Sequence, residues 1–200
     1  MNASMDEDAF PLSSIGINYT SLRDSLAAGE WKQADQETER IFWKVAGCSL
    51  PDYLLGKNIE SFPCSDLYTI DRLWKRYSSG HFGFSVQKHI FESVPIIERL
   101  GKDYSSFGNI VGWRKASNWL YRYDDFTFSL NAPPGHLPVR FWHLQARLMW
   151  DGEDLTGGDE APRSYGHWNG TVAHAVLPTI YSHLTLRFAK CETAMSSKLN

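Results

Sequence analysis

A chain of 200 residues and 22.8 kDa has room for one compact domain and little more. A net charge of −3 with a pI near 6.1 gives no electrostatic case for nucleic acid, where a basic face is expected, and no apolar run reaches the ~18 residues of a membrane span. The aromatic content is high: 8 Trp, 9 Tyr and 11 Phe make up 14% of the chain, more rings than a core of this size requires, so some should line a surface.

Residues 1–14 read as a frayed acidic tail, 15–192 as one helical domain and 193–200 as a second tail. Thr20 is a plausible N-cap, with Leu22 and Leu26 at helical spacing and Gly29 as a stop. The next helix is expected from Trp31 to about Ala46, with Ala34, Thr38, Ile41, Phe42 and Val45 on one stripe. Lys32, Asp35, Glu37, Glu39 and Arg40 fall on its charged side. The segment PDYLLGKNIESFP reads as an irregular connection. A strong helix signal follows: Ser65 as N-cap, Asp66 at the positive end, then Leu67, Ile70, Leu73, Trp74 and Tyr77 on one face. After the turn SSGHFGF another helix begins at Ser85, with Val86, Ile90, Phe91 and Val94 inward and Pro95 as its stop.

From 101 to 139 dense Gly and Pro predict loops, one or two short helices and a weak extended stretch at 126–130. RFWHLQARLMW (140–150) returns to helical periodicity, and the Gly-rich acidic stretch 151–166 reads as a mobile surface loop. A last helix is expected at about 171–190, kinked at Pro178. The fold class is mainly α.

Signatures of catalysis are missing from this pattern. The chain has no GxSxG, HExxH, GxxxxGK[ST] or GxGxxG, and no His pairs with Cys or His at metal-ligand spacing. Cys48, Cys64 and Cys191 form no CxxC pair and are too few for a disulfide scaffold, so they read as buried thiols of a reducing compartment. A non-enzyme is expected, with no metal site of its own. Charge is uneven, −4 over 1–100 and +1 over 101–200, which suits an anionic ligand to the second half. A large planar apolar ligand with carboxylates at its edge would use ring faces and an Arg rim. Phe141 and Trp142, flanked by Arg140 and Arg147, offer both; taken on spacing alone, the same segment reads more readily as a core helix with solvated arginines.

Five segments in order resemble one family: EWKQADQET (30–38), FPCSDLYTIDRLW (62–74), YSSGHFGFSVQ (77–87), VGW (111–113) and LNAPPGHLP (130–138), with Cys191 fitting the tail. This chain is similar to the genomes-uncoupled-four family, the porphyrin-binding regulators of magnesium chelatase. The resemblance implies a compact helical domain shaped as a cupped hand, with a mobile loop, that binds protoporphyrin IX and Mg-protoporphyrin IX. It implies activation of the large, porphyrin-binding chelatase subunit without catalysis, in chlorophyll biosynthesis. The alternative is a sensor domain for a bilin or related tetrapyrrole.

By the same resemblance Leu55, Leu73, Phe82 and Val86 floor the palm, and Phe141 and Trp142 form its far side. Arg163 and Arg140 would meet the propionates, with His167 also at the rim. An axial water on the bound magnesium is expected, with His143 and His167 as alternative ligands. A monomer is expected, without a transmembrane segment and compatible with peripheral membrane association. Its location would be the cyanobacterial cytoplasm, or the chloroplast stroma after removal of a transit peptide.

Overall fold

The computed structural model describes residues 13, 15–47, 56–95, 104–116, 118–120, 122–141 and 183–193. The elements in order are α1 (Thr20–Ala27), α2 (Trp31–Ala46), α3 (Gly56–Glu60), α4 (Cys64–Tyr77), α5 (Phe84–Ser93) and α6 (Ser105–Ile110). A two-residue hairpin follows, β1 (Arg114–Lys115) against β2 (Asn118–Trp119), antiparallel with Arg114 opposite Trp119. A single 3-10 turn at Tyr123–Asp125 and a helix at 183–193 complete the described elements. The class is mainly α.

α1 and α2 form the expected antiparallel hairpin. Gly29 at φ +72° makes the reversal, and Gly47 at φ +64° ends α2 in the left-handed conformation that glycine adopts without cost. The apolar stripe of α2 packs inward as its spacing requires, with Ala34, Thr38, Ile41 and Phe42 buried and Val45 half-buried. Its charged side does not stay in water: Asp35 and Glu39 are buried too. Their partners lie about 100 residues downstream, which local periodicity cannot show.

The connection expected to be irregular contains a helical turn, α3, that sets Ile59 and Phe62 into the core. In α4 the helix begins at Cys64 with Pro63 at the N-cap position, two residues before the cap expected at Ser65. The Ser65 hydroxyl instead donates to Asp66 Oδ2 at 2.8 Å. Asp66 also accepts from the hydroxyls of Ser13 and Tyr19, so the start of the described chain is pinned to the start of α4. The weak extended stretch at 126–130 is not a strand; the short strands lie upstream, at 114–119.

The cysteines correct the sequence reading. Cys64 and Cys191 are joined as a disulfide with 5.4 Å between their Cα atoms, not held as separate buried thiols. Cysteine spacing could not show this, because the partners are 127 residues apart. Cys48 and the expected helices over 142–150 and 171–182 lie outside the described residues; within 183–193, Leu184 and Phe188 face the core.

Most of the described rings belong to the core. Phe42 stacks on Phe141 at 4.6 Å and packs against Phe62 at 4.6 Å and Phe84 at 5.3 Å. Phe84 in turn reaches Phe188 at 6.2 Å. A second group joins Trp31, Trp74 and Phe82. A third joins Phe91, Tyr104, Phe107 and Trp113. Trp31, Trp43, Trp74 and Trp113 are all buried. The described rings are largely consumed by the core.

Candidate functional site

The turn between α4 and α5 is built by side chains that bond backbone. Ser78 Oγ donates to Trp74 O at 2.7 Å and accepts from Phe82 N at 2.8 Å, closing the GHFGF loop onto the end of α4. Gly83 sits at φ +130°, and a Cβ there would lie 2.8 Å from Asp71 Oδ1, so only glycine fits. The Asp71 carboxylate caps α5 by accepting from Ser85 N at 2.8 Å. Burial pushes that carboxyl above its ordinary range, against the Ser85 and Lys75 contacts that lower it.

This turn is joined to residues 130–139 along its length. Gly83 N donates to Leu137 O at 3.1 Å, and Gly135 N donates to His81 O at 2.9 Å. His81 Nε2 lies 2.7 Å from Ala132 O. From α5 the buried Gln87 donates through Nε2 to both Gly135 O and Pro138 O, each at 2.9 Å; the Leu137–Pro138 peptide is cis. His136, also buried, has Nδ1 at 2.7 Å from Val111 O and accepts from Thr127 N at Nε2 at 3.0 Å. These partners set a neutral ring with its proton on Nδ1, and burial holds its pKa below the ordinary value.

Beyond Val139 the chain enters a helix whose first residues are Arg140 and Phe141. Asp35 of α2 receives that entry. Its Oδ1 accepts from Val139 N at 2.7 Å and its Oδ2 from Arg140 N at 3.0 Å and Tyr123 Oη at 2.9 Å. Burial pushes the Asp35 carboxyl up to about 7, although every one of these donors favours the ionised form. Arg140 Nε pairs with Glu39 Oε2 at 2.5 Å, and its guanidinium lies 4.5 Å from the Tyr123 ring centroid. Burial works against the charge on Arg140, and the Glu39 carboxylate more than offsets it. At the outer edge Lys32 pairs with Asp124 and lies over the rings of Tyr123 and Phe128.

The sequence-predicted site residues divide into three sets. Leu73, Phe82 and Phe141 are core residues, at 0%, 0% and 1% exposure. The resemblance puts Phe82 in the floor of the palm. Instead the turn folds it back between Trp31 at 5.5 Å and Trp74 at 6.3 Å. Val86 and Arg140 are half-buried and keep a solvent-facing part. Leu55, Trp142, Arg163 and His167, together with His143, lie outside the described residues. Phe141 packs edge-on against Phe84 at 5.7 Å, and Val86 stands two residues after Phe84 in α5.

Asp35, Tyr123, Gln87 and His136 organise this region, yet were not singled out as candidates. Asp35, Gln87 and His136 stand inside quoted motifs, but their partners become visible only when the chain is folded. Among the described residues no group of three His, Cys, Asp or Glu side chains could hold a metal ion.

Residues 12–151 match the model of a known family, described as GUN4-like. The chain belongs to the GUN4-like family. It is 35% identical over 133 residues to a Ycf53-like protein of Synechocystis sp. (strain ATCC 27184 / PCC 6803 / Kazusa), covering 65% of this chain and 54% of that one. It is 33% identical over 132 residues to the "Tetrapyrrole-binding protein, chloroplastic" of Arabidopsis thaliana, covering 60% and 48%. The chain therefore spans about half the length of the curated relatives it matches. The solved structure of GUN4 from Chlamydomonas reinhardtii superposes with a TM-score of 0.53 at 33% identity, covering 66% of this chain and 88% of that one. No helix among the described residues is long and apolar enough to cross a membrane.

Proposed function

We propose that this GUN4-like chain is a non-catalytic tetrapyrrole-binding regulator that takes protoporphyrin IX and Mg-protoporphyrin IX. In this reading it delivers them to, or activates, the large porphyrin-binding subunit of magnesium chelatase. Family membership supports the ligand class, as does the name of the Arabidopsis relative. The observation that carries the reading is the junction between the GHFGF turn and residues 137–141. Gly83 N–Leu137 O and Phe84–Phe141 draw together the two segments on which ligand contacts were expected.

In this arrangement Leu73, Phe82 and Phe141 act as a rigid underlayer. Val86 and Trp142 supply apolar contact to the macrocycle, with Leu55 at the edge of the floor. Arg140 is already engaged by Glu39, so Arg163, with His167 beside it, is the better propionate partner. An underlayer of interlocked rings holds such a surface in place before ligand arrives, which lowers the ordering cost of binding.

Titration with protoporphyrin IX, followed by the Soret band and by quenching of Trp fluorescence, tests the reading. Saturable binding is expected. Trp142→Ala should weaken it by about tenfold or more, the loss of about 1.4 kcal/mol or more. Val86→Glu should do the same while leaving the circular dichroism spectrum unchanged. Unshifted spectra at tens of micromolar protein, roughly the weakest affinity a carrier could use, would defeat the proposal. Preferential binding of a linear bilin in competition would move the assignment to a bilin sensor. Chelatase activation is read separately, as an increased rate of magnesium insertion by the purified chelatase.

A further inference from the structure

Helix 183–193 lies outside the 12–151 stretch matched by the family model, and the Cys64–Cys191 bond ties it to that stretch. Cys64 is the first residue of α4 and is half-buried; Cys191 is fully buried. Leu184 and Phe188 of this helix are buried in the core, and further contacts dock it. Phe188 packs on Tyr68 at 6.0 Å and Phe84 at 6.2 Å. Arg187 Nε donates to Phe62 O at 2.8 Å. Lys88 Nζ pairs with Glu192 Oε2 at 3.4 Å, and His183 Nδ1 lies 2.9 Å from Glu60 Oε1. Both glutamates are about half exposed, and polar contacts of that kind contribute little. A single helix draws most of its stability from packing, so the order of 183–193 depends on remaining docked.

We propose that Cys64–Cys191 is a thiol–disulfide exchange site for a dithiol reductant, and that its redox state sets how tightly helix 183–193 is held over Phe84. Attack falls on Cys64, the more accessible partner. A reductant thiolate bonds to Cys64 Sγ, the Cys64–Cys191 bond breaks, and Cys191 leaves as a thiolate that takes up a proton. The second reductant thiolate then attacks its own sulfur in the mixed disulfide, and Cys64 leaves. Two electrons pass to the chain, which gains two thiols, while the dithiol becomes a disulfide. Cys64 suits the second step, because the free N–H groups and positive end of α4 stabilise the departing thiolate. The thiols of the sequence reading and the observed bond then become two states of one device.

The test is hydrogen exchange on the full chain, oxidised and after treatment with dithiothreitol or thioredoxin in the absence of denaturant. Two additional titratable thiols are expected, with amide exchange over 183–193 faster by about tenfold or more and exchange in α2 unchanged. Cys191→Ser should reproduce the fast exchange without reductant, and Cys48→Ser should leave the response to reductant intact. Should Cys191→Ser fail to fold, the oxidised and reduced wild-type chains still decide the matter. A bond that yields only in denaturant, or reduction that leaves exchange over 183–193 unchanged, would overturn the proposal and leave a purely structural disulfide. Neither outcome touches the porphyrin titration, which reads a different property.

Discussion

Around Trp74 the molecule is held ring against ring. Trp31, Phe82 and the stripes of α2 and α4 exclude water there, and one internal bond, from Trp74 Nε1 to Thr38 Oγ1 at 2.9 Å, satisfies the indole. Around His136 the molecule is held by side chains that bond backbone. His136, Gln87 and Asp35 collect the carbonyls and amides of a segment with little regular structure of its own. The helical region gains its stability from apolar area, which is tolerant of detail. The loop region gains its shape from buried polar groups, which are costly when one partner is removed. The face proposed for the ligand lies where the two meet, so its floor is stiff and its entry at 139–140 depends on a few hydrogen bonds.

Four outcomes can break or sharpen that contrast. The largest is expected from Trp74→Ala, which removes a fully buried indole and should cost about 3–5 kcal/mol in urea unfolding. A loss under about 1 kcal/mol would mean the ring cluster can collapse around the gap. Next is Asp35→Ala, which strips the acceptor from Val139 N, Arg140 N and Tyr123 Oη. It should cost about 3 kcal/mol, and a cost no larger than that of a surface change, about 0.5 kcal/mol, would show that the polar latch is not needed. Gly83→Ala forces a Cβ against Asp71 at positive φ and should cost about 1–3 kcal/mol. The midpoint of thermal unfolding reads it directly.

The smallest effect is in the pH profile, where the polar region should supply both flanks. Asp35 is pushed up to about 7 in the folded chain, above its value of 3.8 when exposed. Between those values the folded state holds the extra proton. The contribution of Asp35 is therefore full at low pH and is lost as pH rises through about 7. His136 has the opposite sign: its folded pKa lies below 6.5, the unfolded chain binds the proton more readily, and stability is lost as pH falls below that value. Urea midpoints from pH 4.5 to 8 should show Asp35→Asn flattening the upper flank and His136→Gln the lower one. Variants that both keep the wild-type profile would place the titration elsewhere.

Legibility in the sequence follows the same division. The bounds of α2 at Trp31 and Ala46 coincide with those expected, because a sixteen-residue amphipathic pattern ending in glycine is decided locally. α4 begins two residues early and α5 one, since Pro63 and Gly83 act as the boundaries. The burial of Asp35 and Glu39 was not legible, because a carboxylate at a helical position looks solvated until a partner is supplied from residue 123 or 140. Phe82 shows the same limit from the apolar side: flanking glycines signal a turn, not the direction in which its ring folds. The disulfide was hidden by distance along the chain. The ordered motifs carried the family, and the ligand-facing role of each side chain still has to be read from the porphyrin titration.

The Asp35 latch also has a bearing on synthesis. A ribosome releases α2 long before it releases Val139 and Arg140, whose amides Asp35 accepts. During that interval the carboxylate is a hydrated surface charge on a nascent helical hairpin, and burying it early would leave it without donors. Closure of the domain therefore waits for the arrival of residue 140, and a nascent chain that stalls before that point keeps α1 and α2 docked on nothing more than their own hairpin and whatever of α4 has emerged.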